Sequence, residues 1–235
     1  MEPLTDEELR VLGCLIEKEA TVPDLYPLTR NALRQACNQS SSRDPVVAYD
    51  DLTVQRALDS LKARGLARFV HPAAGERATK FRHVAGDAIG LERDELALVA
   101  VLVLRGAQTA GELRTRTERQ HAFESTEEVE SALARLRGRD EPLVIELPRQ
   151  AGQHHARWMH LLGGPVDVDA LEARLADAPV ARSRGGTDRI LELEAELAAL
   201  AARVARLEAS VGLGDEPGGG DGPDDDEVEG PPDYS

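Results

Sequence analysis

Two cysteines, Cys14 and Cys37, are all that 235 residues contain. That excludes the disulfide framework of a small secreted domain and points to a reduced, cytoplasmic setting. Aromatic residues make up 3% of the chain, so Leu, Ala and Val must fill any core. No apolar run approaches the roughly 18–20 residues that span a bilayer; the longest, Leu96 to Leu104, ends at Arg105. The opening MEPLTDEEL has neither the basic nor the apolar segment of a signal peptide. Lysine is scarce: only Lys18, Lys62 and Lys80 stand among the 28 basic residues, a mark of genome composition rather than mechanism. Nucleophile elbows, Gly-rich phosphate loops and HExxH are missing. His121, His154, His155 and His160 lack ligand spacing with either cysteine. These absences predict no enzyme, no cofactor and no metal.

What the chain does have is a repeated helical phrase. Val54, Ala57, Leu58, Leu61, Lys62 and Arg64 are answered by Val129, Ala132, Leu133, Leu136, Arg137 and Arg139, at an offset of 75. Upstream, Leu4, Glu7, Glu8 and Leu9 match Leu91, Asp94, Glu95 and Leu96, at an offset of 87. Two colinear matches indicate a duplicated domain, whose first copy is longer by about the difference of 12.

Local signals give both copies one order of elements. In the first, Thr5 and Glu8 have capping-box spacing before a helix that fades near Ala20 to Pro23. A second helix follows over Thr29 to Gln39, and a third runs from its cap Asp50 to Arg64, stopped by Gly65. Strands over Leu66 to His71 and Thr79 to Val84 form a hairpin. The second copy repeats this with helices over Asp94 to Arg105, Thr109 to Thr117 and Ser125 to Arg137, then strands near Val144 and Arg157. Ser125 and Glu128 again have capping-box spacing. Three helices and a hairpin predict a mainly α fold with small β-wings: winged helices over 1–86 and 87–162. A linker with a short helix occupies 163–186. A coiled-coil helix over 187–211 carries Ile190, Leu193, Leu197, Leu200, Val204, Leu207 and Val211 at heptad spacing, which favours a two-stranded parallel coil and a homodimer. The Gly/Asp-rich 212–235 is expected to be a disordered acidic tail.

The net charge of −15 disfavours nucleic acid only until it is divided along the chain. Residues 1–86 hold 12 basic and 12 acidic residues, 87–162 hold 10 and 13, and 163–235 hold 6 and 18. In the first copy, residues 60–86 carry six basic side chains against Glu76. If Phe69 and Phe81 face inward, Arg68, Lys80 and Arg82 share the outer face. Candidate DNA contacts are therefore Arg43, Gln55, Arg56, Arg64, Arg68, Arg77, Lys80 and Arg82. The third helix would be the recognition element and the wing would grip phosphate. In the second copy Glu124, Glu127, Glu128 and Glu130 would meet the phosphate field, and Arg114, Arg116 and Arg119 are expected to pair with those acids. Cys37 reads as a buried small hydrophobe, and Trp158 as a cap on the second core.

The run Tyr-Pro-Leu-Thr-Arg-Asn-Ala-Leu-Arg-Gln-Ala-Cys-Asn-Gln, with Arg-Asp-Pro-Val, Gly-Glu-Leu-Arg-Thr-Arg-Thr-Glu-Arg and Arg-Trp-Met-His-Leu-Leu, resembles the bacterial YceH family over about 1–162. The resemblance implies tandem winged helices and supplies no catalytic residues. Two functions fit: a dimeric regulatory DNA-binding protein, paired through the second domain, the coil or both, and a protein-interaction scaffold of the ScpB-like kind without DNA. An acidic tail should compete with DNA for a basic wing. Full-length protein and residues 1–162 can be titrated side by side with generic duplex; the shorter form should bind more tightly, and equal affinity would remove the tail from the mechanism.

Overall fold

The computed structural model describes residues 2–70, 78–149 and 155–171. It is mainly helical with two small antiparallel sheets. Helix α1, Asp6–Thr21, starts in the capping box: Thr5 Oγ1 accepts from the Glu8 N–H, and Glu8 Oε2 accepts from the Thr5 N–H. A 3-10 turn at Pro23–Leu25 leads into a two-residue strand, β1 (Leu28–Thr29). Thr29 then caps α2, Arg30–Cys37, and Asp50 caps α3, Asp51–Ala63. Gly65, at φ 73°, takes the left-handed turn that brings β2 (Ala67–Val70) back against β3 (Lys80–His83). The short helix α4, Ala85–Ile89, ends this copy.

The second copy repeats the series: α5 (Arg93–Arg105), β4 (Gln108–Thr109), α6 (Ala110–Thr117), α7 (Thr126–Arg137), β5 (Val144–Glu146) and β6 (Arg157–His160). The sheets have matching orders, β1-β3-β2 and β4-β6-β5. The two-residue strands β1 and β4 were not foreseen from sequence, because two residues show no alternation. The pair at Ser125 and Glu128 is only half a capping box. Ser125 Oγ accepts from the Glu128 N–H, but the Glu128 carboxylate turns back to the Glu124 N–H, one residue earlier.

Structural equivalences locate the extra residues of the first copy. Thr29 and Thr109 cap corresponding helices at an offset of 80. Relative to offsets of 87 and 75, seven extra residues precede α2 and five lie between α2 and α3. The second insertion is structural. Its Asp44 N–H donates to the Leu104 carbonyl at 2.8 Å, and Arg105 donates to Ser42 Oγ, so the loop is tied to α5 of the other copy.

Both copies share one continuous core. Leu12, Leu15, Leu33, Leu58 and Leu61 belong to the same buried cluster as Leu98, Leu102, Leu113, Leu133 and Leu136. Helices α1 and α5 pack directly on one another, and the fit is tight at Gly13: a Cβ there would lie 3.0 Å from Leu104 Cγ and from Val103 Cγ1. The boundary drawn at 86/87 falls inside α4. A helical turn over 168–171, capped by Asp167, begins where the linker helix was expected. The heptad residues Ile190 to Val211, the tail and Arg77 lie outside the described residues. No helix among the described residues is long and apolar enough to cross a membrane. Gly13→Val should lower stability by about 1–3 kcal/mol through overpacking, read as a lower denaturant midpoint at unchanged slope. Gly111→Ala, with nothing within 4 Å of the added Cβ, should be neutral or slightly stabilising.

Candidate nucleic-acid interface

The outer face of the first sheet carries the basic residues as the alternation predicts. In the β2–β3 ladder Arg68 stands directly across from Arg82, Phe69 from Phe81, and Val70 from Lys80. Arg68, Arg82 and Lys80 therefore share one face; both arginines are exposed and Lys80 is half-buried. Phe69 and Phe81 meet edge-to-face at 5.0 Å on the opposite face. On α3, Arg56 is exposed. Gln55 is half-buried and engaged within the fold, donating to Asp59 at 3.0 Å and accepting from Arg30. Arg30 and Arg34 of α2 also pair with Asp51 at 3.8 and 2.9 Å, neutralising the acid at the start of α3.

Two of the candidate contacts serve the fold instead. The Arg43 side chain is fully buried. Its guanidinium donates to both Glu17 oxygens at 3.1 and 2.7 Å, to Gln39 at 2.8 Å, and to the carbonyls of Ala36 and Ser42. Burial works against the charge on Glu17, yet the Arg43 hydrogen bond and charge hold its carboxyl below the usual range. A serine-flanked arginine in a turn reads as solvated; here the inserted loop folds inward and takes the arginine with it. Arg64 is also withdrawn. It donates to the carbonyls of Glu2 and Pro3 at 2.9 and 3.1 Å and pairs with Glu8.

The repeat itself contained the clue to Arg64. Its counterpart Arg139 donates to the carbonyls of Ile89 and Gly90, which correspond to Glu2 and Pro3 at the offset of 87. In each copy this arginine clamps the strand of chain entering the first helix. The neighbouring basic letter is shared too: Lys62 sits 3.9 Å over the Phe69 ring, and Arg137 sits 5.4 Å over Trp158. Basic residues that recur in both copies hold the common fold.

The second copy lacks the exposed basic face. The positions equivalent to Arg68 and Arg82 are Ile145 and Met159, paired across β5 and β6. Arg135 bonds to Asp94 and Glu95, Arg137 to Glu146, and Arg157 to Glu112. Arg114 was expected to pair with the acids of the next helix; it donates instead to the carbonyls of Phe123 and Glu124, while Arg116 pairs back to Glu112 at 3.6 Å. An open groove beside β5 is lined by Ile145, Leu147, Pro148 and Ala156 together with Arg137, Glu146 and Arg149.

Sequence reasoning missed a pair of histidines that close the last strand of each sheet, in Lys-Phe-Arg-His and Arg-Trp-Met-His. His83 Nε2 donates to Glu19 at 2.7 Å, because its Nδ1 accepts from the Ala85 N–H. Burial outweighs the Glu19 carboxylate and lowers its pKa. His160 is buried, its Nδ1 has no hydrogen-bond partner among the described residues, and burial lowers its pKa to about 4.

The sequence profile of a family described as "Protein of unknown function, DUF480" matches residues 4–153. A UPF0502 protein of Pelobacter propionicus is 50% identical over 206 residues, covering 87% of this chain and 93% of the relative. One of Opitutus terrae is 48% identical over 198 residues, 84% of this chain and 83% of the relative. One of Delftia acidovorans is 46% identical over 220 residues, 92% and 95%. The YceH family falls within the UPF0502 proteins, so the resemblance carried by the sequence motifs holds.

The histidines predict an acid-sensitive fold. Both native pKa values lie below the unfolded value near 6.5, so the unfolded chain takes up protons first and stability falls as pH drops below 6.5. For His160 the loss approaches about 3 kcal/mol near pH 4. His160→Leu should flatten that slope, measured as chemical unfolding free energy between pH 7.5 and 4.5.

Proposed function

This chain belongs to the DUF480 family of UPF0502 proteins, and on that footing we propose that each copy is a winged helix and that the first one binds double-stranded DNA. The carrying observation is the Arg68–Arg82 pair. Like charges directly opposite one another destabilise a sheet, and no carboxylate among the described residues pairs with either one. An anion held between them reverses that cost, and the phosphate backbone supplies anions at regular spacing. Lys80 on the same face and Arg56 on α3 extend the surface. Contacts of this type fix orientation on the duplex, with α3 left to read base edges.

The second copy serves as the dimerisation or scaffold half in this reading. Ile145 and Met159 replace the arginine pair, and the groove next to them mixes apolar residues with the Arg137–Glu146 pair and Arg149. A heptad coil past residue 187 adds a second means of pairing protomers. The rival reading, a protein-interaction scaffold without DNA, draws on a specific feature: Val46 and Leu52, exposed at 59% and 55%, flank the start of α3 where bases would be read.

Titrating full-length protein with generic duplex at several salt concentrations separates the two. Four engaged side chains per protomer should give a log K against log salt slope of about −4. Arg68→Glu with Arg82→Glu should weaken binding to all sequences at least tenfold, whereas Arg64→Ala should lower stability and leave the slope unchanged. No binding at low salt would overturn the DNA reading and leave the scaffold.

A further inference from the structure

Along α3 most side chains are already committed. Val54, Ala57, Leu58 and Leu61 face the core. Asp51 is held by Arg30 and Arg34, Gln55 by Arg30 and Asp59, and the N–H of half-buried Thr53 by the Asp50 carboxylate. Lys62 lies over the Phe69 ring, and Arg64 clamps the incoming chain. Leu52 and Arg56 are what remains on the exposed side of the first two turns. Leu52 is 55% exposed. Arg56 is exposed and has no hydrogen bond or salt bridge among the described residues. Four residues apart, the two share one face of the helix.

The second copy shows that the fold needs neither side chain. At the offset of 75 the counterparts of Leu52 and Arg56 are Glu127 and Ser131, both exposed on α7. The buried residues of the same helix are kept, as Val129, Ala132, Leu133 and Leu136. The exchange separates the copies in the same sense as the wing does, where Arg68 and Arg82 give way to Ile145 and Met159. Two surfaces on different elements, α3 and the sheet, therefore change together. A lone exposed leucine says little. One turn from an uncommitted arginine, on the helix that would enter the groove, it has a specific use.

Resting on the reading of the first copy as a DNA-binding winged helix, we infer that Leu52 and Arg56 are its sequence-reading pair, and that its site holds a thymine close to a guanine. In the major groove guanine offers N7 and O6 to a forked donor, which the Arg56 guanidinium matches. Thymine alone among the four bases carries a 5-methyl group there, the partner for an exposed leucine. Leu52 and Arg56 are displaced by about 6 Å along the helix axis, and stacked bases by about 3.4 Å. The thymine and the guanine therefore fall within about two base steps of each other. On generic duplex Arg56 meets phosphate; at its site it turns to the guanine edge. An apolar side chain beside a phosphate-binding surface is then explained without a protein partner.

The test selects duplexes from a random library with full-length protein at low salt, then remakes the strongest site with base analogues. Uracil in place of the thymine removes the methyl group alone and should weaken wild-type binding roughly threefold. 7-Deazaguanine removes the N7 acceptor, leaves base pairing intact and should weaken binding about tenfold. Leu52→Ala should bind the thymine and uracil duplexes equally, and Arg56→Ala should lose the preference for guanine. Both variants should still bind unselected duplex through the wing. No duplex binding at low salt overturns the DNA reading and this pair with it. Binding that selects no sequence, or a selected site indifferent to either analogue, overturns the pair and leaves the wing's grip on phosphate standing. The analogue series needs wild-type protein only, so it decides the matter even if a variant fails to fold.

Discussion

Gly13 has no side chain where α1 meets α5, and Leu104 and Val103 fill the space beside it. That close approach makes one core out of two copies. Each copy alone has three main helices and a sheet of three strands, every strand only two to four residues long. Such a unit buries a small fraction of its surface and would be marginal by itself. Joined along α1 and α5, the leucines of both copies pack in a single cluster, and the outer helices and hairpins are carried on a rigid centre.

Much of the polar chemistry follows from that junction. The loop inserted between α2 and α3 is held on one side by Arg43 in Glu17 and on the other by Asp44 and Ser42 on α5. An arginine whose five N–H groups all meet acceptors can be buried with its charge retained. A surface reading of Arg43 misses this, because Arg43 and Glu17 are 26 positions apart in sequence.

The arginines of this protein sort by whether their role is shared between copies. Arg64 and Arg139 clamp equivalent carbonyls, and Lys62 and Arg137 each cover an aromatic ring of their own copy's sheet. The carbonyl clamp is a feature of the common fold, whereas the two rings differ in position, Phe69 on β2 and Trp158 on β6. Arg68 and Arg82, replaced by Ile145 and Met159, belong to the first copy alone. The DNA reading therefore rests on fewer residues than the basic count of 60–86 suggests; Arg68 and Arg82 are not kept by the duplicate, whereas Lys80 has Arg157 as its counterpart. The second copy pairs Arg135, Arg137 and Arg157 with its own carboxylates and carries Ile145 and Met159 where the first copy has the arginines.

The main helices, the caps at Thr5 and Asp50, the hairpin alternation and the repeated order of elements were legible in the amino-acid sequence, while the short helix α4 was not. Each depends on spacing within a few residues: 3.6 for the leucines of α1 and α3, two for Phe69 and Phe81 against Arg68 and Arg82, three for Thr5 and Glu8. The half-made cap at Ser125 shows the limit even there, since a carboxylate can choose between adjacent N–H groups. What only the tertiary structure decided was which charges remain at the surface. A basic side chain looks the same in sequence whether it meets solvent, a carbonyl or a carboxylate, and Arg43, Arg64 and Arg114 found partners 26, 62 and 10 residues away. Those partners are chosen by how α1 lies on α5 and how the inserted loop folds between them, a long-range packing outcome that no local period records.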